Sequence, residues 1–158
     1  MLLLSCCIIT IYIILVLMKG GIPVSLSSTY YTSNKAPWVS ITMFLSTALM
    51  LPALLDISTE QTQWLVFLSC IGNILCAIAP NFKEELEGKL HYGGAILAGI
   101  LSQIWCNCYN PNTLWMWLVI GGVLLINYRA KIYSATNLVF WLEIICYLNI
   151  YITCFNWI

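Results

Sequence analysis

Residues 1–19 read MLLLSCCIITIYIILVLMK, eighteen residues without a charge closed by a lysine. A membrane-crossing helix needs roughly 17 to 25 predominantly apolar residues, and this stretch supplies one at about 2–18. Five further apolar stretches follow, at about 38–55, 62–79, 90–107, 112–128 and 136–157. All six basic residues fall into alternate gaps between them: Lys19 and Lys35 in the first, Lys83 and Lys89 in the third, Arg129 and Lys131 in the fifth. The second gap holds only Asp56 and Glu60, and the fourth holds no charge. Positive residues accumulate on the cytoplasmic side of a membrane. The alternation therefore predicts an all-α polytopic bundle of six transmembrane helices, a single domain over 1–158 with both termini outside.

Composition agrees. The chain is 61% hydrophobic and 8% charged, with a mean hydropathy of +0.91, whereas a soluble domain carries about 25% charged residues. Formal net charge is zero, so no basic face exists to hold nucleic acid through counterion release. A secretory signal places positive charge before its apolar core. Here Lys19 comes after it, and the first helix is expected to be retained with its N-terminus outside.

Most of the tryptophans fit this frame. Trp64, Trp105, Trp115, Trp117 and Trp157 fall near the outer ends, as an interfacial belt would, while Trp38 marks an inner end and Trp141 sits deeper. Asn110-Pro111 reads as a tight turn between the fourth and fifth helices, and Pro52 as a kink near the outer end of the second. Gly94/Ala98 and Ala95/Gly99 are small-xxx-small steps that let helices approach closely in lipid. They predict a central, tightly packed fourth helix. Of the eight cysteines only Cys106 and Cys108 approach an outer loop, and their spacing matches no zinc or redox motif, so packing is the expected role of all eight.

The chemistry concentrates on the inner side. The first connection, KGGIPVSLSSTYYTSNKAP (19–37), places Ser25, Ser27, Ser28, Thr29, Tyr30, Tyr31, Thr32 and Ser33 within nine residues, with no charge between its lysines. Hydroxyls interleaved with Ile22, Val24 and Leu26 suit an interfacial loop or one that dips into the bundle. Irregular backbone at that depth is tolerated only against protein or a wet cavity. The second inner connection, APNFKEELEGKLHYGGA (79–95), stops a helix at Pro80 and offers Asn81 as the cap of a short following helix. Lys83/Glu87 and Glu85/Lys89 are i,i+4 pairs of a solvated face. The only histidine, His91, follows Glu87 by one turn, so the carboxylate can orient the ring. One histidine cannot supply both axial ligands of a b-type haem, and zinc would need Glu87 plus a further ligand; no metal or cofactor is expected.

Glu143 is the sharpest single residue. It lies about seven residues, or roughly 10 Å at 1.5 Å per residue, below the inner start of the sixth helix. An ionisable group inside a membrane helix is costly and by default a functional hypothesis. Asn73, Asn127 and His91 are its candidate partners, and a protonated, hydrogen-bonded structural role is the alternative. Asn73, Gln103 and Asn149 are amides that join helices by hydrogen bonds worth about 0.6 kcal/mol each.

At Ser25-Leu26 after the first helix and at Pro80…His91 before the fourth, the chain resembles small six-helix bacterial membrane proteins of the DUF998 type, distantly similar to the Frag1/DRAM family. These carry a serine-containing loop after the first helix and a proline-led loop ending in a histidine. Their acidic residue soon after the proline is displaced here, where Asn81-Phe82-Lys83 precede Glu84. The resemblance implies six helices in a bacterial inner membrane and points to Ser25 and His91, but it supplies no reaction.

Three functions remain open at this level. The first is binding or transport of a lipid-like or small amphiphilic ligand in a cytoplasm-facing cavity lined by Tyr30, Tyr31, Asn73, His91 and Glu143, with Glu143 able to exchange a proton. The second is a membrane-embedded lipid hydrolase or transferase, with Ser25 or Ser27 as nucleophile, His91 as base and Glu87 orienting it. The third is a homo-oligomeric pore or structural partner. Membrane lipid is the expected partner in each.

Overall fold

The computed structural model describes residues 1–32, 37–81, 84–130 and 137–157, and every regular element among them is helical. In chain order these are α1 (Leu2–Gly20), the single turn α2 (Thr29–Thr32), α3 (Trp38–Ile57), α4 (Gln63–Ile78), α5 (Glu84–Tyr109), α6 (Leu114–Ala130) and α7 (Leu138–Trp157). Short 3-10 turns occupy Ala79–Asn81 and Pro111–Thr113. Helices α1, α3 and α7 are long and apolar enough to cross a membrane, and they mark a membrane protein. Ser33, Lys35, Lys83 and Lys131 lie outside the described residues, as do the side chains of Thr32, Asn81, Glu84, Glu85, Asn127 and Arg129.

Helix ends follow local chemistry. Helix α1 stops where Gly21 turns to φ 73° and its N–H reaches the Leu17 carbonyl, a left-handed position that glycine takes without steric cost. Pro52 is accommodated inside α3, which Ser58 closes by bonding the Leu54 carbonyl through both its N–H and its hydroxyl. Helix α5 begins at Glu84, earlier than the apolar stretch that predicted it. The expected separate short helix after Asn81 is instead the first turns of α5, because the strong helix formers Glu85, Leu86, Glu87, Lys89 and Leu90 carry the helix through Gly88.

Helices α3, α4, α5 and α7 close into a ring, α1 packs on α3, and α6 stands at the periphery against α7 and the Pro111–Thr113 turn. Lipid tails are as apolar as leucine, so burial gives these helices little reason to associate; close approach and hydrogen bonds must do so. The closest approach is between α4 and α5. A Cβ added at Gly72 would lie 2.6 Å from the Ala98 nitrogen and the Gly94 oxygen, and one added at Gly94 would lie 2.6 Å from the Gly72 oxygen. The Gly94/Ala98 step is therefore used at this crossing, whereas Ala95 is exposed and a Cβ at Gly99 would meet nothing within 4 Å.

Small polar side chains tie the other crossings. The Ser5 hydroxyl donates to the Ser46 carbonyl at 2.7 Å and meets the Tyr151 hydroxyl at 2.7 Å, joining α1, α3 and α7. Asn73 on α4 donates to Thr47 of α3 at 2.5 Å and to Tyr147 of α7 at 2.9 Å. Asn149 donates to Gln103 at 2.7 Å between α7 and α5. The end of the bundle that holds the α5 and α7 C-termini is closed by aromatics: Trp105 donates to the Ser58 hydroxyl at 2.7 Å and Trp157 to the Tyr109 carbonyl at 2.9 Å. Trp105 is only 1% exposed. It belongs to the core rather than to an interfacial belt, because its N–H finds a partner inside the fold. Trp64, Trp115 and Trp157 are exposed. All eight cysteines are free, and Cys106 is fully buried.

The α4–α5 crossing sets a stability test. Gly72→Ala forces backbone apart and should cost about 1–3 kcal/mol, the usual range for overpacking. Gly93→Ala, where an added Cβ meets nothing within 4 Å, should be neutral or slightly stabilising. Unfolding in detergent checks the contrast, and equal effects of the two substitutions would contradict the packing described.

Candidate functional site

The segment between α1 and α2 enters the bundle. Leu26 is fully buried, and Ser25, Ser27 and Thr29 are buried with it. Backbone polar groups so placed need partners, and the fold provides them. The Ser25 hydroxyl accepts from the Ser28 N–H at 3.1 Å, and the Ser28 hydroxyl donates to the Ser25 carbonyl at 2.7 Å. Thr29 donates to the Leu26 carbonyl and contacts the Tyr12 hydroxyl at 2.6 Å. The dense run of hydroxyls thus serves first as the loop's internal scaffold.

Two bonds fasten the segment to α7. The Val24 carbonyl accepts the Phe140 N–H at 3.1 Å, satisfying one of the orphan donors of the first helical turn. One turn further on, Glu143 Oε2 accepts the Leu26 N–H at 2.5 Å. The expected partners of Glu143 were Asn73, Asn127 and His91. Its hydrogen bond goes instead to a backbone amide, because the loop brings an otherwise unsatisfied N–H to the carboxylate while Asn73 is engaged by Thr47 and Tyr147. Asn127 as a partner lies outside the described side chains.

Ser27 and His91 meet. Ser27 Oγ lies 3.1 Å from His91 Nε2 and 3.1 Å from Ser25 Oγ, forming a line Ser25–Ser27–His91. The His91 ring also interacts with the Cys76 backbone, and the Cys76 thiol donates to the His91 carbonyl at 3.4 Å. Glu87 acts on the ring through its charge. Its Oε1 is buried and has no hydrogen-bond partner among the described residues. No hydrogen bond joins Glu87 to His91 among the described residues, although the two are successive along one face of α5. Of the two candidate nucleophiles Ser27 touches the histidine, and Ser25 is one hydroxyl removed.

Ser27, Asn73, His91 and Glu143 share one cavity of about 560 Å³. Its remaining wall is overwhelmingly apolar, including Met43, Met50, Val66, Ile96, Ile100 and Leu142. Ile96, Ile100 and Ile104 line it and are also exposed on the outer surface of α5, so the cavity is reachable from the side of the bundle. Tyr30 and Tyr31 do not line it. Tyr30 packs against a small cluster formed by Val39, Met43, Cys76 and Ala77, and Tyr31 faces a separate groove beside α1. Thr47 and Tyr147 are cavity residues that sequence reasoning missed, both lying in apolar stretches and both bonded to Asn73; Gln103, read from sequence as a helix-joining amide, does join α5 to α7 and also lines the cavity. Among the described residues no group of three His, Cys, Asp or Glu is placed to hold a metal ion.

The Glu143 link gives a direct test. Glu143→Gln keeps an acceptor for the Leu26 N–H, whereas Glu143→Leu leaves that buried donor unsatisfied at about 1–3 kcal/mol. Hydrogen exchange should show the Leu26 amide protected in wild type and in the Gln variant and exchanging faster in the Leu variant. Unchanged protection in Glu143→Leu would refute the link. Compared with known proteins, the chain matches no family model, no curated protein and no solved structure.

Proposed function

We propose that this is a six-span membrane protein, with both termini outside, that binds a lipid-like or small amphiphilic ligand in a cavity facing the cytoplasmic leaflet. The observation that carries it is the cavity itself: about 560 Å³ of largely apolar wall with Ser27, Asn73, His91 and Glu143 set into it. Binding sites for such ligands are typically concave and apolar, with a few convergent polar groups that fix orientation. The exposed isoleucines of α5 at the cavity's edge offer a chain entry from lipid without crossing water. The charge alternation of the sequence and the likeness to DUF998-type proteins support the six-span topology and the cytoplasmic placement of the cluster.

A second function has its own observation. The 3.1 Å contact between Ser27 Oγ and His91 Nε2 is the geometry of an activated serine, suited to acyl transfer or hydrolysis of a lipid ester. Acyl transfer also needs donors for the developing oxyanion. The N–H groups on either side of Ser27 are already engaged, Leu26 by Glu143 and Ser28 by Ser25. Binding is therefore favoured over catalysis.

Filling the cavity separates these readings. Ala95→Phe, at a wall position, should weaken binding of a fluorescent alkyl probe by about tenfold or more. Leu118→Phe on the exposed face of α6 should leave it unchanged. Equal binding by both variants would contradict the proposal. If the protein cleaves a lipid ester and Ser27→Ala stops cleavage while probe binding persists, the catalytic function replaces simple binding. For topology, cysteine labelling in a cysteine-free background should reach position 60 from outside and position 21 only after permeabilisation.

A further inference from the structure

Resting on the amphiphile-binding proposal, the charge distribution around the cavity points to the head group: we infer that the site takes an amphiphile with a protonated amine head, seated against Glu143. Among the described residues Glu143 is the only Asp or Glu on the cavity wall, and none of the lysines described lines it. Lys19 and Lys89 are exposed elsewhere. Glu143 Oε2 is held by the Leu26 N–H, and its second oxygen makes no hydrogen bond among the described residues. The carboxylate is thus anchored to the loop through one oxygen.

A second carboxylate reinforces the sign. Glu87 acts on His91 through its charge, and its Oε1 is buried without a partner among the described residues. One carboxylate, Glu143, thus stands on the cavity wall beside the wall residue His91, and a second, Glu87, lies one turn before His91 on α5. A carboxylate removed from water and left unpaired is costly, and an incoming ammonium relieves that cost at the moment of binding. Ser27 Oγ and the Asn73 side chain are further polar groups on the same wall. An anionic head group would meet like charge in the same medium and be excluded, while an uncharged hydroxyl would bind without the ion pair. The apolar wall along Ile96, Ile100 and Leu142 receives the alkyl chain.

The test compares three ligands of equal chain length on the full-length protein in phosphatidylcholine nanodiscs: dodecylamine, dodecanol and dodecanoate, with empty nanodiscs as the partition blank. Wild type should bind the amine at least about tenfold more tightly than the alcohol, with the carboxylate weakest. Glu143→Gln should bring amine and alcohol to equal affinity, and Glu143→Asp should restore part of the preference. Equal affinity for amine and alcohol in wild type would overturn the inference while leaving amphiphile binding intact. So would an amine preference that survives Glu143→Gln. Binding of none of the three above the blank would overturn both together. The wild-type series is decisive even where a variant folds poorly.

Discussion

A buried backbone amide meeting a partly buried carboxylate, Leu26 N–H to Glu143, is the contact on which the loop-bearing end of the bundle depends. A loop can lie inside a helical membrane bundle only if its polar backbone groups find partners there. Leu26 is fully buried, so without the α7 carboxylate its N–H would be an orphan donor in an apolar setting. The same bond fixes the loop's register. It places Ser27, the next residue, within reach of His91 on α5. Loop, α5 and α7 are then joined at one point although they are separated widely along the chain.

The rest of the bundle supplies the frame for that junction. Close contact of Gly72 with Gly94 brings α4 against α5 and so sets where His91 stands relative to α7. Asn73, one residue along, ties α4 to α3 and α7, and Gln103 with Asn149 ties α5 to α7. These bonds are individually worth fractions of a kcal/mol in lipid, yet they have a common geometric effect. They hold four helices around a space rather than letting it collapse. Helix α6, which stays at the periphery, leaves the outer face of α5 uncovered.

Much of this was legible in the sequence, and the limits have physical causes. Apolar length located each long helix among the described residues, because a membrane demands such length in the linear sequence. Glu143 stood out for the same reason, as a lone acid where charge is expensive. The partner of Glu143 was not legible, since an amide N–H has no signature that distinguishes Leu26 from any other loop residue. Nor was the choice of Ser27 over Ser25, which turns on a contact between residues 64 apart. Trp105 resembled a belt residue, but its ring is buried and its N–H is taken up by the Ser58 hydroxyl. Gly72 did have a signal: it precedes Cys76 by four residues, a small-xxx-small step facing the one in α5.

Photo-crosslinking with a diazirine-bearing alkylamine, mapped by mass spectrometry on the protein in nanodiscs, tests the central claim most directly. The account predicts adducts concentrated on cavity residues of α5 and α7, such as Ile96, Ile100 and Leu142, displaced by excess unlabelled dodecylamine. Adducts confined to outward faces, such as Ile11 of α1 or Leu118 of α6, and undiminished by competitor, would show that the cavity holds no amphiphile and would contradict it.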